Sequence, residues 1–247
     1  KMRQYFGVLF LAILSLPMFA QAQLQQDSVR FCEYIAVKHA DAVGWVTRYQ
    51  TEIDKYVDEN KNLKDKSCDV LFLGSSSINL WDNIYQDMAP MKIIRRSYGG
   101  AALRDMLYNY SVIARGYNPH SIVLYVENDI CNSPEDITIG QTFDFFRVFI
   151  SKIKRDYPLV PLYVLSIKPS YAREKISSKQ KMVNTLLEEY ISTLNNVFYV
   201  DVASCMYDEK GVLRKDIFKK DNLHMNQTGY DLWTARLKPL LLQHKKS

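Results

Sequence analysis

The chain has 247 residues, of which 47% are hydrophobic, and a formal net charge of +5. This length favours one domain with a single substantial core. Without Lys1 and Arg3, two of its 32 basic residues, the charge falls to +3, and the remaining basic residues are scattered along the chain. Composition and charge therefore argue against a nucleic-acid-binding protein.

Residues 1–22 have the pattern of a secretory signal peptide. Basic residues precede an apolar run over residues 5–20, and Ala20-Gln21-Ala22 gives the small-x-small cleavage pattern. The apolar run is short and is broken by Pro17, which is unfavourable for a membrane span. We predict cleavage after Ala22, export to the periplasm or the medium, and no stable membrane insertion afterwards. An uncleaved membrane anchor is the alternative.

Four cysteines, at positions 32, 68, 131 and 205, are widely spaced. In an exported protein they permit up to two disulfides, but buried free thiols are equally compatible with a core of this size, so the pairing stays open. The spacing does not fit a zinc site, and neither common nucleotide-binding glycine loop occurs. We therefore predict neither a metal nor a cofactor.

The rest of the chain divides into a helical extension and a main domain. Residues 28–66 are helical in period and rich in charge. We predict that residues 23–66 form an N-terminal helical extension packed on the domain, and that residues 67–247 form the domain itself. Strands are predicted over residues 69–74, 92–97, 121–126, 161–167 and 197–202. Helices are predicted over residues 102–115, 138–156, 174–194 and 227–243, with a shorter one after the first strand.

This alternation of strands and helices predicts an α/β fold. Five strands joined by helical crossovers form a three-layer α/β/α sandwich with a five-stranded parallel sheet. Asn118 and Pro119 are predicted to break the chain before the third strand. Residues 133–136 (Ser-Pro-Glu-Asp) have the pattern of a helix start and are predicted to open the next helix.

Polar residues follow the first three predicted strands and recur in the last loop. The first strand ends in residues 74–77 (Gly-Ser-Ser-Ser), the second in Gly99-Gly100, and the third in residues 127–129 (Glu-Asn-Asp). The last loop contains Asp221 and, three residues later, His224. Ligands bind at the carboxyl edge of a parallel sheet, so these groups are predicted to meet there.

In chain order, these four motifs resemble blocks one, two, three and five of the SGNH hydrolases, also called GDSL esterases or lipases. The resemblance extends from Asp69 to the end of the chain. It implies a flavodoxin-like α/β fold and a catalytic triad of Ser76, Asp221 and His224. It also implies an oxyanion hole formed by Ser76, Gly100 and Asn128.

The chemistry of these residue types agrees with the resemblance. A serine hydroxyl becomes a nucleophile when a nearby imidazole takes its proton. A carboxylate three residues before a histidine can turn back onto Nδ1, so that Nε2 faces the serine. Asp221 would orient the ring, and His224 would transfer the proton.

The sequence departs from the family pattern at several positions. Ser75 replaces the aspartate of Gly-Asp-Ser, which leaves open a register in which Ser75 or Ser77 is the nucleophile. Val126 stands where the family usually has glycine, and is expected to narrow the pocket beside Asn128. Arg95 and Ser97 replace an asparagine and a glycine that relatives tend to carry.

Three further polar residues at this edge are ambiguous. Asp129 is expected to have a structural role, because the family's chemistry does not require it. Lys168 and Arg173 follow the fourth strand and either contact an anionic or sugar substrate or are solvated.

We predict an exported serine esterase that forms an acyl-enzyme intermediate and hydrolyses short-chain O-acyl groups, with acylated carbohydrates as one candidate substrate class. Its partner is a small-molecule or glycan ester, and the oligomeric state stays open. An acyltransferase that uses the same serine is one alternative. A non-catalytic ligand-binding member of the fold is the other.

Overall fold

The computed structural model describes residues 47–133 and 136–245, with side chains for residues 47–133 and 136–243. The predicted signal peptide, Cys32 and the first part of the helical extension lie outside these residues. In the described part of the chain, no helix combines the length and apolar character needed to cross a membrane.

Five parallel strands form the sheet, in the order β2-β1-β3-β4-β5. They are β1 Ser67–Gly74, β2 Ile93–Ser97, β3 Asn118–Tyr125, β4 Leu162–Leu165 and β5 Val197–Val200. This order places β1 and β3 in the centre, and the carboxyl ends of all five strands lie at one edge. The predicted α/β fold with a five-stranded parallel sheet is confirmed.

The helices alternate with the strands. They are α1 Gln50–Asn62, α2 Ser76–Asn79, α3 Ile84–Asp87, α4 Leu103–Tyr108, α5 Tyr110–Ile113, α6 Ile139–Asp156, α7 Ser177–Ser192 and α8 Gln227–Lys245. Two 3-10 segments cover Tyr171–Ile176 and Ser204–Met206. The predicted helix over residues 102–115 is thus two short helices that meet at Asn109, and the helix predicted from residue 174 begins as a 3-10 turn.

Both faces of the sheet are covered by apolar layers. Leu71 and Leu73 of β1 belong to a cluster that contains residues of α1, α4, α6 and α7. Val70 and Phe72, which point to the opposite face, belong to a second cluster with residues of α2, α3 and α8. Because successive strand residues alternate between faces, a strand segment buried on both sides must be apolar at every position, as residues 70–73 of β1 are.

Helix α1 is attached to the edge strand β2 by polar contacts. The buried guanidinium of Arg96 forms an ion pair with Glu59 at 3.1 Å and a hydrogen bond with Asn60 at 3.0 Å. The Tyr56 hydroxyl lies 3.1 Å from the Ser97 amide and accepts its hydrogen bond. These contacts satisfy polar groups at the edge strand and fix the position of α1 on the domain.

Two local predictions from the sequence are wrong. Asn118 and Pro119 do not break the chain but begin β3, where proline is tolerated because pairing with β4 starts only at Ile122. Ser133 and Asp136, the described ends of the predicted helix start, lie outside the next helix. Helix α6 begins at Ile139 with Thr138 as its N-cap, because that side chain accepts a hydrogen bond from the Gln141 amide.

Candidate active site

The serine turn after β1 is held in place by close packing. A Cβ added to Gly74 would lie 2.5 Å from Ile78 Cγ1 and 2.7 Å from the Tyr125 carbonyl oxygen, so only glycine fits there. The Ser75 amide donates a 3.0 Å hydrogen bond to the same carbonyl. The turn is therefore fixed to the end of β3, which carries the neighbouring motif.

The three serines of this turn have different environments. The Ser75 hydroxyl is sealed in the interior and has no hydrogen-bond partner among the described residues. The Ser77 hydroxyl donates to Glu127 Oε1 at 3.4 Å, and its carbonyl accepts a hydrogen bond from the Tyr230 hydroxyl at 3.0 Å. Within the described part of the chain, the Ser76 hydroxyl is neither bonded to protein nor sealed from solvent. The environment therefore favours Ser76 as the reactive residue.

The last loop brings the predicted carboxylate and imidazole together. Asp221 Oδ2 lies 2.7 Å from His224 Nδ1, and Oδ1 accepts hydrogen bonds from the Leu223 and His224 amides at 3.0 and 2.9 Å. Asn222 between them has φ +56°, a left-handed conformation that asparagine tolerates. This turn directs Nε2 away from Asp221 and leaves it available to another group.

The Asp221 carboxylate is strongly stabilised in its charged form. Partial burial would raise its pKa, but the hydrogen bonds from the His224 ring and from the two amides outweigh this and lower the pKa to about 2. Asp221 is therefore ionised across the whole pH range in which an esterase would work. Acidification to pH 5 does not remove the group that orients the imidazole.

The loop after β2 presents backbone groups at the same edge. Gly100 has φ +76°, and a Cβ at this position would lie 2.9 Å from the Tyr49 hydroxyl, so the conformation and the space both require glycine. Nothing lies within 4 Å of a Cβ placed on Gly99. Among the described residues, the Ser76 and Gly100 amides donate to no protein acceptor. Both are available to a ligand.

The Asn128 side chain is held by two partners. Its Oδ1 accepts a 2.7 Å hydrogen bond from Arg173, and its Nδ2 donates a 2.9 Å hydrogen bond to the Ala101 carbonyl. An amide nitrogen carries two hydrogens, so one N–H donor remains. Asn128 is partly exposed, unlike its two buried neighbours Glu127 and Asp129.

A buried ionic cluster lies beneath these groups. Glu127 Oε2 lies 3.3 Å from Lys168 Nζ and 3.1 Å from Arg173 Nη1, and it accepts a 2.8 Å hydrogen bond from the Tyr125 hydroxyl. Burial alone would raise the pKa of Glu127, but the two cations outweigh it and lower that pKa below its ordinary value. Glu127 is therefore a buried carboxylate anion.

Of the two alternatives that the sequence suggested for Lys168 and Arg173, contact with a substrate stays a prediction and solvation is wrong. Lys168 is fully buried, Arg173 is 7% exposed, and each contacts protein. The physical reason is Glu127, because charged side chains are buried only when they are paired. Glu127 directly follows an apolar strand, and this was the one sequence signal that pointed to a buried carboxylate.

This cluster connects the serine turn to the last loop. Glu127 accepts the hydrogen bond from Ser77, and Lys168 donates a 2.9 Å hydrogen bond to the Leu223 carbonyl, one residue before His224. The structure thus brings the triple-serine turn, Asn128 and the Asp221–His224 pair to one edge of the sheet. Ser76 and His224 form no hydrogen bond with each other in the described residues, as is common before a ligand binds.

The remaining ambiguous residues have structural environments. The Val126 side chain is fully buried in the apolar cluster that contains α4 and α6 residues, and its effect on the space beside Asn128 stays a prediction. Asp129 Oδ2 accepts a 2.9 Å hydrogen bond from the Leu103 amide at the start of α4. Cys68, Cys131 and Cys205 are free thiols. No group of three or more potential metal ligands occurs among the described residues.

Comparisons with known proteins place these features in context. No family model matches the chain. The human and rat platelet-activating factor acetylhydrolase IB subunits alpha2 are 25% identical to it, and the alignments cover 84% of this chain and 90% of theirs. A solved structure from Streptococcus pneumoniae, described as a platelet activating factor, is 25% identical to this chain with a TM-score of 0.69, and the alignment covers 84% of this chain and 99% of that one. A GDSL-like lipase from Bacteroides thetaiotaomicron is 20% identical to this chain with a TM-score of 0.63. The alignment covers 77% of this chain and 97% of the lipase.

Proposed function

We propose that this chain, a member of the SGNH hydrolase family and a hydrolase of ester bonds, is a serine esterase with Ser76 as its nucleophile. His224 acts as the base, and Asp221 orients its imidazole. One observation carries the proposal: a 2.7 Å carboxylate–imidazole pair lies at the same sheet edge as a serine hydroxyl that, among the described residues, has no protein partner and is not sealed from solvent. That arrangement is what nucleophilic acyl transfer requires.

The reaction proceeds in two steps. His224 Nε2 takes the proton of Ser76 while Oγ attacks the ester carbonyl carbon, and the collapse of the tetrahedral intermediate transfers that proton to the departing alcohol. The acyl group is then bonded to Ser76. In the second step His224 deprotonates water as its oxygen attacks the acyl carbon, and collapse of the second tetrahedral intermediate breaks the bond to Ser76 Oγ, which takes the proton back from His224 as the free acid leaves. The Asp221 carboxylate holds the tautomer that both steps need.

Three donors are placed to stabilise the intermediate. The Ser76 and Gly100 amides and the free N–H of Asn128 have no protein acceptor within the described residues. Donors that are already oriented where negative charge develops lower the barrier, and the loss of one typically costs a factor of about 10² to 10³ in turnover. We assign the oxyanion hole to these three groups.

The proposed substrates are short-chain O-acyl esters, including acylated carbohydrates. Support for a short acyl group comes from the acetylhydrolase subunits, whose name specifies an acetyl substrate and which align over 84% of this chain. Export rests on the predicted signal peptide at residues 1–22. Hydrolysis rather than transfer to a sugar hydroxyl is proposed because water needs no acceptor site.

The nucleophile is tested by labelling with a fluorophosphonate, which bonds to activated serine hydroxyls. We expect the wild-type protein to be labelled and Ser76→Ala to lose both labelling and esterase activity. Ser75→Ala and Ser77→Ala are the matched controls, because each removes one hydroxyl from the same turn. Labelling that survives in Ser76→Ala and disappears in either control would assign the nucleophile to that other serine. An unlabelled wild-type protein would favour a binding function.

The acyl preference is tested with nitrophenyl esters of increasing chain length. A long apolar acyl groove would gain about 0.8 kcal/mol for each buried CH₂, which corresponds to roughly fourfold in kcat/KM. We expect no such rise, with the highest kcat/KM at about two to four carbons. A maximum beyond about eight carbons would contradict the proposed substrate class. Product analysis with and without a sugar acceptor separates hydrolysis from acyl transfer.

A further inference from the structure

Arg173 is buried in a place where its charge has no direct use in the proposed chemistry. It follows β4 in the 3-10 segment and is 7% exposed. Its guanidinium forms a 3.1 Å ion pair with Glu127 and a 2.7 Å hydrogen bond with Asn128 Oδ1. One side chain therefore connects a fully buried carboxylate to the side-chain donor of the proposed oxyanion hole.

These contacts determine which way the Asn128 amide faces. A guanidinium only donates hydrogen bonds, so the atom that it contacts must be the amide oxygen. The Ala101 carbonyl only accepts, so the atom 2.9 Å from it must be the nitrogen. With both atoms assigned by their partners, a flipped amide would face a donor with its donor group and an acceptor with its acceptor.

Glu127 in turn holds Arg173 by charge, since the 3.1 Å contact between Nη1 and Oε2 is an ion pair without hydrogen-bond geometry. The planar guanidinium presents several N–H groups in one fixed geometry, and so a single Arg173 can contact Glu127 and Asn128 together. An ammonium at the end of a flexible chain has no such fixed geometry. Lys168 lies 3.3 Å from the same carboxylate and keeps Glu127 paired even when Arg173 is changed.

We infer that Arg173 is a positioning residue for catalysis: anchored by Glu127, it orients the Asn128 amide so that the free N–H points to the oxyanion. This inference rests on the proposed esterase function. A purely structural role is the competing explanation. That explanation predicts that Arg173 contributes to stability and not to catalysis. It has little general support, because buried ion pairs are often no more stabilising than apolar residues of similar volume.

The first test separates the two roles by kinetics. Arg173→Lys keeps a cation beside Glu127 but loses the fixed geometry that reaches Asn128. We expect kcat for a nitrophenyl ester to fall about 10- to 100-fold with KM within about twofold, because a displaced donor acts mainly in the transition state. Arg147→Lys is the matched control, since Arg147 is half-exposed and pairs with Asp144 on α6. That variant should behave as wild type.

A double-mutant cycle then identifies the partner. If Arg173 acts through Asn128, Arg173→Lys should lower kcat no further in an Asn128→Ala background. Losses that multiply would overturn the inference. An unchanged kcat in Arg173→Lys would also overturn it. So would a loss of kcat that accompanies a loss of thermal stability and has the same size in the wild-type and Asn128→Ala backgrounds.

A third readout does not depend on turnover. The Asn128 side-chain NH₂ signal, assigned by its disappearance in Asn128→Ala, should have a high ¹⁵N order parameter in wild type and Arg147→Lys. In Arg173→Lys it should fall below about 0.6. An amide that stays rigid in Arg173→Lys overturns the inference whether or not the protein is active. An amide that loosens in a protein without labelling or activity overturns the proposed esterase but not the positioning.

Discussion

Asp129 is a buried carboxylate with only one of its two oxygens satisfied. Oδ2 accepts the hydrogen bond from the Leu103 amide, while Oδ1 has no hydrogen-bond partner in the part of the chain that the structure describes. Burial raises the pKa of Asp129 to about 7, and the nearby carboxylate of Asp105 acts in the same direction. The folded protein therefore binds a proton at Asp129 at pH values where the unfolded chain has released it.

This difference gives a sign for the pH dependence of stability. Between about pH 4 and pH 7 the native state holds more protons at Asp129 than the unfolded state, so the free energy of unfolding falls as pH rises, and it is flat above. Asp129→Asn removes this dependence while keeping an acceptor for Leu103. The free energy of unfolding in urea, taken as Asp129→Asn minus wild type, should therefore increase by roughly 2 to 4 kcal/mol from pH 4 to pH 8.

Asp144→Asn, which changes an exposed carboxylate on α6, is the control for this measurement. Its stability difference from wild type should be nearly constant with pH. If the curves of Asp129→Asn and wild type run parallel, Asp129 is not protonated in the native state and the assignment fails.

At the scale of single residues, the sequence predicted the groups that meet but not the contacts that hold them. Asp221 and His224 could be paired because three residues form one turn. The roles of Glu127, Lys168 and Arg173 could not be predicted, because burial of a charge depends on a partner more than forty residues away in the chain. The choice among three adjacent serines likewise depended on burial and bonding, which their spacing does not encode.

At the scale of elements, the start of α6 shows how a local signal can mislead. Asp136 accepts backbone hydrogen bonds from Cys131, Asn132 and Ser133, and so it closes a loop instead of capping a helix. The true capping box is two residues further on. The Thr138 side chain accepts from the Gln141 amide at 3.2 Å, and Gln141 Oε1 accepts from the Thr138 amide at 3.0 Å.

This capping box gives a prediction for helix stability. Thr138→Ala should lower the free energy of unfolding by about 1 kcal/mol, because an amide at the start of α6 loses its acceptor. Thr185→Ala is the control: that threonine is exposed within α7, and its hydroxyl bonds back to the Lys181 carbonyl. Alanine is the better helix former, so the control should be neutral or stabilising by up to about 0.7 kcal/mol. Equal losses in urea unfolding would rule out a specific cap.

The break between α4 and α5 has no comparable signal in the sequence. The pattern over residues 102–115 is apolar at helical spacing, yet the chain leaves helical geometry at Asn109, whose side chain donates a 3.0 Å hydrogen bond to the Asp105 carbonyl. Asparagine competes for backbone groups in this way. Helical spacing of apolar residues predicts which face of a segment is buried. In this segment it did not predict that the helix is interrupted at Asn109.

At the scale of the whole molecule, the fold was predictable because the central strands carry runs that are apolar on both faces, such as residues 70–73 of β1 and 122–125 of β3. Only a sheet covered on each side by helices buries such strands, and right-handed crossovers then leave few topologies. Among the described residues, the two apolar clusters lie on opposite faces of the sheet. Leu71 contributes to one cluster and the next residue, Phe72, to the other, and both are fully buried.

A sheet shared in this way should make the three layers unfold together. Leu71→Ala and Phe72→Ala should cost about 2 to 5 and 3 to 5 kcal/mol, because each leaves a cavity in a close-packed layer. Trp81 and Trp233 both lie in the cluster of Phe72, so their fluorescence reports one face of the sheet. The measurements are made in a Trp45→Phe background, because Trp45 lies outside the described residues and its fluorescence would add to that of Trp81 and Trp233. Leu71→Ala changes the opposite face, and yet it should shift the fluorescence and circular dichroism midpoints equally.

The alternative is that each layer unfolds separately, and the same measurement distinguishes it. Leu71→Ala would then shift the circular dichroism midpoint and leave the tryptophan fluorescence unchanged. Leu159→Ala serves as the control, since this leucine is 87% exposed and its truncation should change stability by less than about 0.5 kcal/mol.

Joint unfolding matters for the site, because its groups come from loops that follow β1, β2, β3 and β4 and from the loop before α8. They keep their distances only while the sheet and both layers are intact.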